Sequence, residues 1–319
     1  MNILIIGAGD MGLHYHSVLT ALKCTITVVG SGEKTAAHFQ AETGHQPLLG
    51  GIEAHIGTLS ADNFTGVIVA SPEHLIGKHT ILLLEHGFKK ILVEKPGGFD
   101  LDDIAQVNAA SNAHNAEVFV GYNRRFFAST LMAKSLIEED GGALSFRFEF
   151  SEWGHVISSL EKAEGSKDEW FLNNSTHLID LSYFLCGWPV EMQSLAGQDC
   201  DWHKYGSNFT GSGITETGAR FSYYANWSSP GSFGLEINTN KRRLLFSPVE
   251  TLQQKLIGGR QYSDVDVDYE YDQRFKPGIY KMVEAFLNAP KTDGLIKIEE
   301  QNHNAQLYHA MRTGQSNGT

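Results

Sequence analysis

Three groups of residues have the types and spacing for chemistry. Gly7-Ala8-Gly9-Asp10-Met11-Gly12 follows the apolar run 3–6 and opens a helical pattern. A turn of this spacing sets unpaired backbone N–H groups at a helix N-terminus, where an anion such as a pyrophosphate binds. Gly7 permits the tight turn, Gly9 lets the anion approach the backbone, and Gly12 lets helix and strand pack closely; with Asp10 and Met11 they form one half of a dinucleotide site. Glu94-Lys95-Pro96 stands at the carboxyl end of the apolar strand 91–93, the edge at which ligands bind in open parallel sheets. A lysine there can stabilise a developing alkoxide; the tripeptide alone reads equally as an ordinary Glu-Lys pair on a strand end. Asn173, His177 and Asp180 share one face of a predicted helix. An imidazole that ordinarily titrates at about 6.5 suits proton transfer at neutral pH when neighbouring groups hold its tautomer.

The elements that must position these groups fall into two patterns. Up to residue 122, apolar runs at 3–6, 25–29, 66–70, 90–93 and 117–120 alternate with helical patterns at 11–22, 33–41, 73–85 and 102–114. This is the rhythm of βαβ units and predicts a parallel sheet of about five strands. Beyond Tyr122, alternating stretches at 144–150, 218–227 and 234–239 predict a mostly antiparallel sheet with one covered face. One helix, 173–186, interrupts it and is stopped by Gly187 and Pro189. Segment 154–167 reads as a loop between Trp153 and Trp170, and the polar tail 313–319 as frayed. The expected fold is α/β, with an N-terminal Rossmann dinucleotide-binding domain over 1–122 and an α/β domain for substrate binding and oligomerisation over 123–319.

A Rossmann site ordinarily has an acidic residue at the end of its second strand for the adenosine ribose, but Gly30 stands there. The following Ser31 and Lys34 leave room for a 2′-phosphate, although Lys34 reads equally as a solvated helix residue. NAD and NADP both stay open, with a tilt to NADP.

Composition narrows the class. At 319 residues the chain suits two domains, and its 41% hydrophobic content gives it a substantial core. A net charge of −12 argues against nucleic-acid or anionic-membrane partners. Cys24, Cys186 and Cys200 form no metal-binding spacing, so no metal is expected, and no membrane span or leader is legible; a cytoplasmic protein is expected.

These motifs in their order, GAGDMG at 7–12, SPEH at 71–74, VEKPGG at 93–98, VGYNRRF at 120–126 and NNSTHLID at 173–180, resemble the glucose–fructose oxidoreductase, inositol dehydrogenase and MocA (Gfo/Idh/MocA) family along nearly the whole chain. The resemblance implies an NAD(P)-dependent dehydrogenase or reductase moving hydride between a nicotinamide and a carbon of a sugar, nucleotide sugar or cyclitol. It implies Lys95, His177 and Asn173 as catalytic residues, and Ser71, Pro72, His74 and Glu94 beside the cofactor. Tyr122, Asn123, Arg124, Trp170 and Asp180 would face the substrate, and a homo-oligomer, dimer or tetramer, is implied. Lys95 and His177 are expected to meet around one substrate oxygen. Two positions depart from the family pattern: Asn173 where an aspartate is common and Ser175 where a glycine is common. Two other readings stay open: a redox-neutral sugar-processing enzyme with tightly bound NAD, and a non-catalytic dinucleotide-binding protein.

Overall fold

The computed structural model describes residues 1–288 and 293–315. Its strands in chain order are β1 Asn2–Ile6, β2 Thr25–Gly30, β3 Leu48–Leu49, β4 Gly66–Val69, β5 Lys90–Glu94, β6 Glu117–Gly121, β7 Ser145–Phe150, β8 Pro189–Gly197, β9 Asn208–Thr215, β10 Arg220–Asn226, β11 Phe233–Asn238, β12 Arg242–Phe246, β13 Gln253–Leu256, β14 Ser263–Asp264 and β15 Ile296–Lys297. They form a seven-stranded sheet ordered β15-β6-β5-β4-β1-β2-β3 and an eight-stranded sheet ordered β14-β13-β12-β11-β7-β10-β9-β8.

In the first sheet every pairing is parallel except β15 against β6. Parallel strands are covered on both faces, and accordingly Ile3 to Ile6, Val67 to Val69 and Ile91 to Val93 are all buried. The helices sit between the strands as the alternation requires. The one over Leu101–Ala113 is started by Asp100, whose side chain accepts from the Asp103 N–H at 2.8 Å. Two additions were not expected: the two-residue β3, and β15, which closes the far edge.

The chain divides into two compact units, residues 1–123 with 271–304, and 124–270 with 305–319. The expected domain 123–319 is therefore not continuous. Residues 271–304 join the first unit because helix Ile279–Leu287 buries Ile279, Met282, Val283 and Phe286, a stripe at helical spacing, and packs on helix Asp10–Ala21, while Ile296 pairs with Val120.

The second unit is built on the eight-stranded sheet, antiparallel except where β10 runs parallel to β7. Phe146 and Phe148 of β7 stack against Phe221 and Tyr223 of β10, each pair 5.4 Å apart between ring centroids. Tyr183, on helix Thr176–Cys186, meets Phe146, Phe148 and Phe221 edge-on. The neighbours also explain the glycines of β9: a Cβ on Gly211 would lie 2.4 Å from Tyr223 Cζ, and one on Gly213 would lie 2.0 Å from the Glu191 carbonyl oxygen and 2.7 Å from Phe221 Cζ. Helix Ala128–Glu139 and strands β8 and β9 were not expected. The expected loop 154–167 opens on a single turn, Gly154–Ile157. Of the expected tail, Thr313 ends the last helix, Ile298–Thr313, and 316–319 lie outside the described residues.

Helix Thr176–Cys186 is tied to the chain that follows β6 by one buried ion pair. Asp180 accepts from Arg125 Nε at 2.7 Å and Nη2 at 2.6 Å, and neither side chain is more than 7% exposed. Breaking such a pair from one side strands a buried charge, so Asp180→Ala should cost about 3–5 kcal/mol of stability. Urea unfolding followed by tryptophan fluorescence measures it; a loss of only about 0–1 kcal/mol, as for an exposed pair, would contradict it.

Candidate functional site

The glycine turn has the shape its spacing predicted. Gly7 has φ +119°, and a Cβ on it would lie 2.3 Å from the Ala70 carbonyl oxygen; one on Gly12 would lie 2.1 Å from the Gly7 oxygen. Both positions exclude a side chain, and the first turn of helix Asp10–Ala21, with Asp10 and Met11, is drawn onto the carboxyl end of β1. Gly9 differs, because a Cβ there would meet nothing within 4 Å. The space over Gly9, beside the unpaired N–H groups of a helix start, fits a pyrophosphate. At Gly30 a Cβ would lie 2.9 Å from Ala8 Cβ, so the turn itself crowds out the acidic side chain that commonly ends the second strand. Ser31 and Lys34 are exposed nearby in sequence.

Ser71 is buried and shares a 2.6 Å hydrogen bond with His79 Nδ1, whereas Pro72 and His74 are exposed. Burial pushes the pKa of His79 down, with Glu53 opposing. Glu94, at the end of β5, accepts a 2.5 Å hydrogen bond from the Tyr15 hydroxyl. Burial pushes the Glu94 carboxyl up, and the Tyr15 bond and the charge of Lys95 oppose this. Lys95 is half-buried directly after it, and the Lys95–Pro96 bond is cis. Tyr122 is buried, its hydroxyl accepting from Gln301 Nε2 at 3.1 Å, and Asn123 donates to the Pro277 carbonyl at 3.0 Å. The side chains of Tyr122 and Asn123, expected at the substrate, are thus engaged inside the first unit.

In the second unit the expected regular helix 173–186 is not uniform. Phe171–Ser175 is a π-helical turn, and only Thr176–Cys186 is α-helical. The wider turn changes the register, so the α-helical spacing that put Asn173 on one face with His177 and Asp180 does not hold. Such turns recur at functional sites. Asn173 is 4% exposed and His177 half-buried. Asp180, expected to face a substrate, pairs its carboxylate with Arg125.

The wide turn is held by residues that pattern reasoning missed. Glu152, just past β7, accepts from Asn174 Nδ2 at 2.9 Å and from Ser175 Oγ at 2.9 Å. Ser175, a departure from the family pattern, therefore has a definite bonding role. Burial pushes the Glu152 carboxyl up, while these bonds, Trp170 and the charge of Arg124 pull it back. The Arg124 guanidinium lies over the Phe233 ring at 4.9 Å. Trp170 meets Trp202 edge-on. Beneath the turn, the Glu169 carbonyl accepts from the Asn173 N–H at 2.8 Å, and the Glu169 side chain pairs with Arg312 and Lys204. No group of metal-binding side chains occurs among the described residues, nor any helix long and apolar enough to cross a membrane.

Residues 1–122 match the Gfo/Idh/MocA model, described as an oxidoreductase family with an NAD-binding Rossmann fold. No curated protein matches the chain. Levoglucosan dehydrogenase in complex with NADH and L-sorbose is 18% identical, with a TM-score of 0.75 over 98% of this chain and 95% of its own. UDP-N-acetylglucosamine 3-dehydrogenase from Acidithiobacillus ferrooxidans is 15% identical, with a TM-score of 0.74 over 99% and 97%. An oxidoreductase from Agrobacterium radiobacter in complex with NAD+, L-tartaric acid and magnesium is 14% identical, with a TM-score of 0.75 over 97% and 94%. At these identities the likeness is one of fold. The family model thus matches the dinucleotide-binding segment 1–122, and the solved structures share the fold of the whole chain.

Proposed function

We propose that the chain is an NAD(P)-dependent dehydrogenase or reductase acting on a hydroxyl or carbonyl carbon of a sugar, nucleotide sugar or cyclitol. The observation that carries this reading is the open space over Gly9 at a helix N-terminus, between two glycines that admit no side chain. When bound, the nicotinamide supplies the hydride acceptor or donor. Lys95, at the carboxyl end of β5, steadies the negative charge that develops on the substrate oxygen. His177 exchanges the hydroxyl proton, and Asn173 orients that hydroxyl, since an amide can direct a proton but not take it. Sugar-like substrates are favoured by the structural neighbours, one a levoglucosan dehydrogenase holding L-sorbose and another acting on UDP-N-acetylglucosamine.

The cofactor choice tilts to NADP, because Gly30 offers no carboxylate to a ribose diol and Ser31 and Lys34 follow it. Three free cysteines suit a reducing cytoplasm. Exposed Val190 and Leu195 on β8, at 56% and 73%, suit a homo-oligomer, dimer or tetramer.

Calorimetric titration separates the cofactor claims. Gly9→Val should fold normally, as its Cβ meets nothing and φ is −86°, yet lose about a hundredfold or more in dinucleotide affinity. Unchanged affinity would reduce the turn to a packing device. Lys34→Ala should weaken NADP about five- to tenfold and leave NAD alone; a preference for NAD untouched by the substitution would overturn the tilt.

Turnover on a panel of levoglucosan, L-sorbose, UDP-N-acetylglucosamine and myo-inositol, followed at 340 nm, tests the catalytic roles. Lys95→Ala and His177→Ala should each lower kcat about a hundredfold with little change in cofactor affinity. Residues acting in one step are not additive, so the double variant should be little worse than the worse single one. Two multiplying losses would contradict a shared step.

A further inference from the structure

Gln301 carries no motif and lies outside the residues matched to the family, yet it joins two of the segments in which the candidate chemistry resides. It lies in the first turn of helix Ile298–Thr313, in the first compact unit, and is 0% exposed. Its Nε2 donates to the Pro96 carbonyl at 3.0 Å and to the Tyr122 hydroxyl at 3.1 Å. One amide nitrogen has two N–H donors, and both are spent on these neighbours.

The turn that follows Lys95 is held tightly from several sides. The Gly97 N–H donates to the Glu94 carbonyl at 3.0 Å. A Cβ on Gly97 would lie 2.9 Å from Ile298 Cδ1 and 3.1 Å from Val120 Cγ2, and one on Gly98 would lie 2.6 Å from the Ile104 nitrogen. The helix that carries Gln301 thus rests on the turn through Ile298, and Gln301 adds a directional polar tie to the residue next to Lys95. Packing alone does not explain a glutamine here. Its Oε1 is buried and has no hydrogen-bond partner among the described residues, so an apolar side chain of the same length would satisfy the core better. What an apolar side chain could not supply is the pair of N–H bonds.

We propose that Gln301 is a positioning residue: by fastening Pro96 to Tyr122 it fixes the backbone from which Lys95 projects, and so sets the aim of the Lys95 ammonium at the substrate oxygen. This rests on the role given to Lys95 under the proposed function. A group displaced by about an ångström from its productive position loses as much as a hundredfold in rate.

The test is a kinetic cycle on the full chain, using the panel sugar with the highest turnover. Gln301→Met keeps the length and removes both donors. It should keep the thermal midpoint and the cofactor dissociation constant near those of the parent and lower kcat about ten- to a hundredfold. In a Lys95→Ala background the same substitution should have no further effect. A change at Gln301 that only loosened the fold would lower activity in both backgrounds and move the midpoint. If Lys95→Ala is impaired and Gln301→Met multiplies that loss, the inference fails while the role of Lys95 stands. If Lys95→Ala turns over like the parent, the role of Lys95 fails and the inference with it. Should Gln301→Met not fold, Tyr122→Phe removes the Gln301–Tyr122 bond; a kcat loss that disappears in the Lys95→Ala background supports the proposal, and one that persists there overturns it.

Discussion

Two missing side chains govern the cofactor half of the molecule. Because Gly7 and Gly12 carry no Cβ, the Gly7 carbonyl can sit where a side chain on residue 12 would otherwise lie, and Gly7 can press against Ala70 at the end of β4. The start of helix Asp10–Ala21 is thereby brought to the carboxyl edge of β1, which lies between β2 and β4. That is where the strand order of an open parallel sheet reverses and where its ligands bind. The same closeness brings Ala8 against Gly30 and removes the acidic residue from the end of β2. Anion site, helix placement and the missing acidic residue at the end of β2 thus share one steric origin.

The second unit secures its candidate residues differently. Helix Thr176–Cys186 is fixed by apolar contact, with the Tyr183 ring edge-on to a stacked aromatic ladder, and by the Arg125–Asp180 pair. Aromatic pairs of this kind contribute about 0.5–1.5 kcal/mol each beyond the area they bury. The π-helical turn before it is held in addition by a side chain from outside the helix. Glu152 holds Asn174 and Ser175, and Glu169 holds the Asn173 N–H. A turn whose Asn174 and Ser175 side chains are held by the Glu152 carboxylate is a stiff base for Asn173 and His177.

The first unit was legible wherever one element decides its own form. β1, β4 and β5 carry the apolar runs Ile3 to Ile6, Val67 to Val69 and Ile91 to Val93 because both their faces are covered, and the glycine turn announces its own geometry. The mostly antiparallel second sheet showed in the alternation of β7 and β10. Hidden from the sequence was whatever depends on distant partners. The amphipathic stripe of Ile279–Leu287 says that a face is buried but not on which helix, so its return to the first unit was invisible. Gly211 and Gly213 weaken the strand signal of β9, and its pairing with β8 and β10, which the sequence does not reveal, makes it a strand. The π-helical turn has no sequence period of its own, and Asp180, read as a substrate ligand, met Arg125 from 55 positions away. Gln301 and Glu152 escaped notice because a glutamine on a helix and a glutamate past a strand are ordinary until their partners are known.

The proposed transfer of hydride between a nicotinamide and a sugar carbon leaves a lasting change in both. Its most direct measurement is the stoichiometry of a complete reaction: NAD(P)+ with each panel sugar, reduced cofactor read at 340 nm, and oxidised sugar counted by mass spectrometry. One reduced cofactor formed per carbonyl product is the predicted result. Sugar converted with no net change in cofactor, or cofactor bound with no sugar converted, would contradict it.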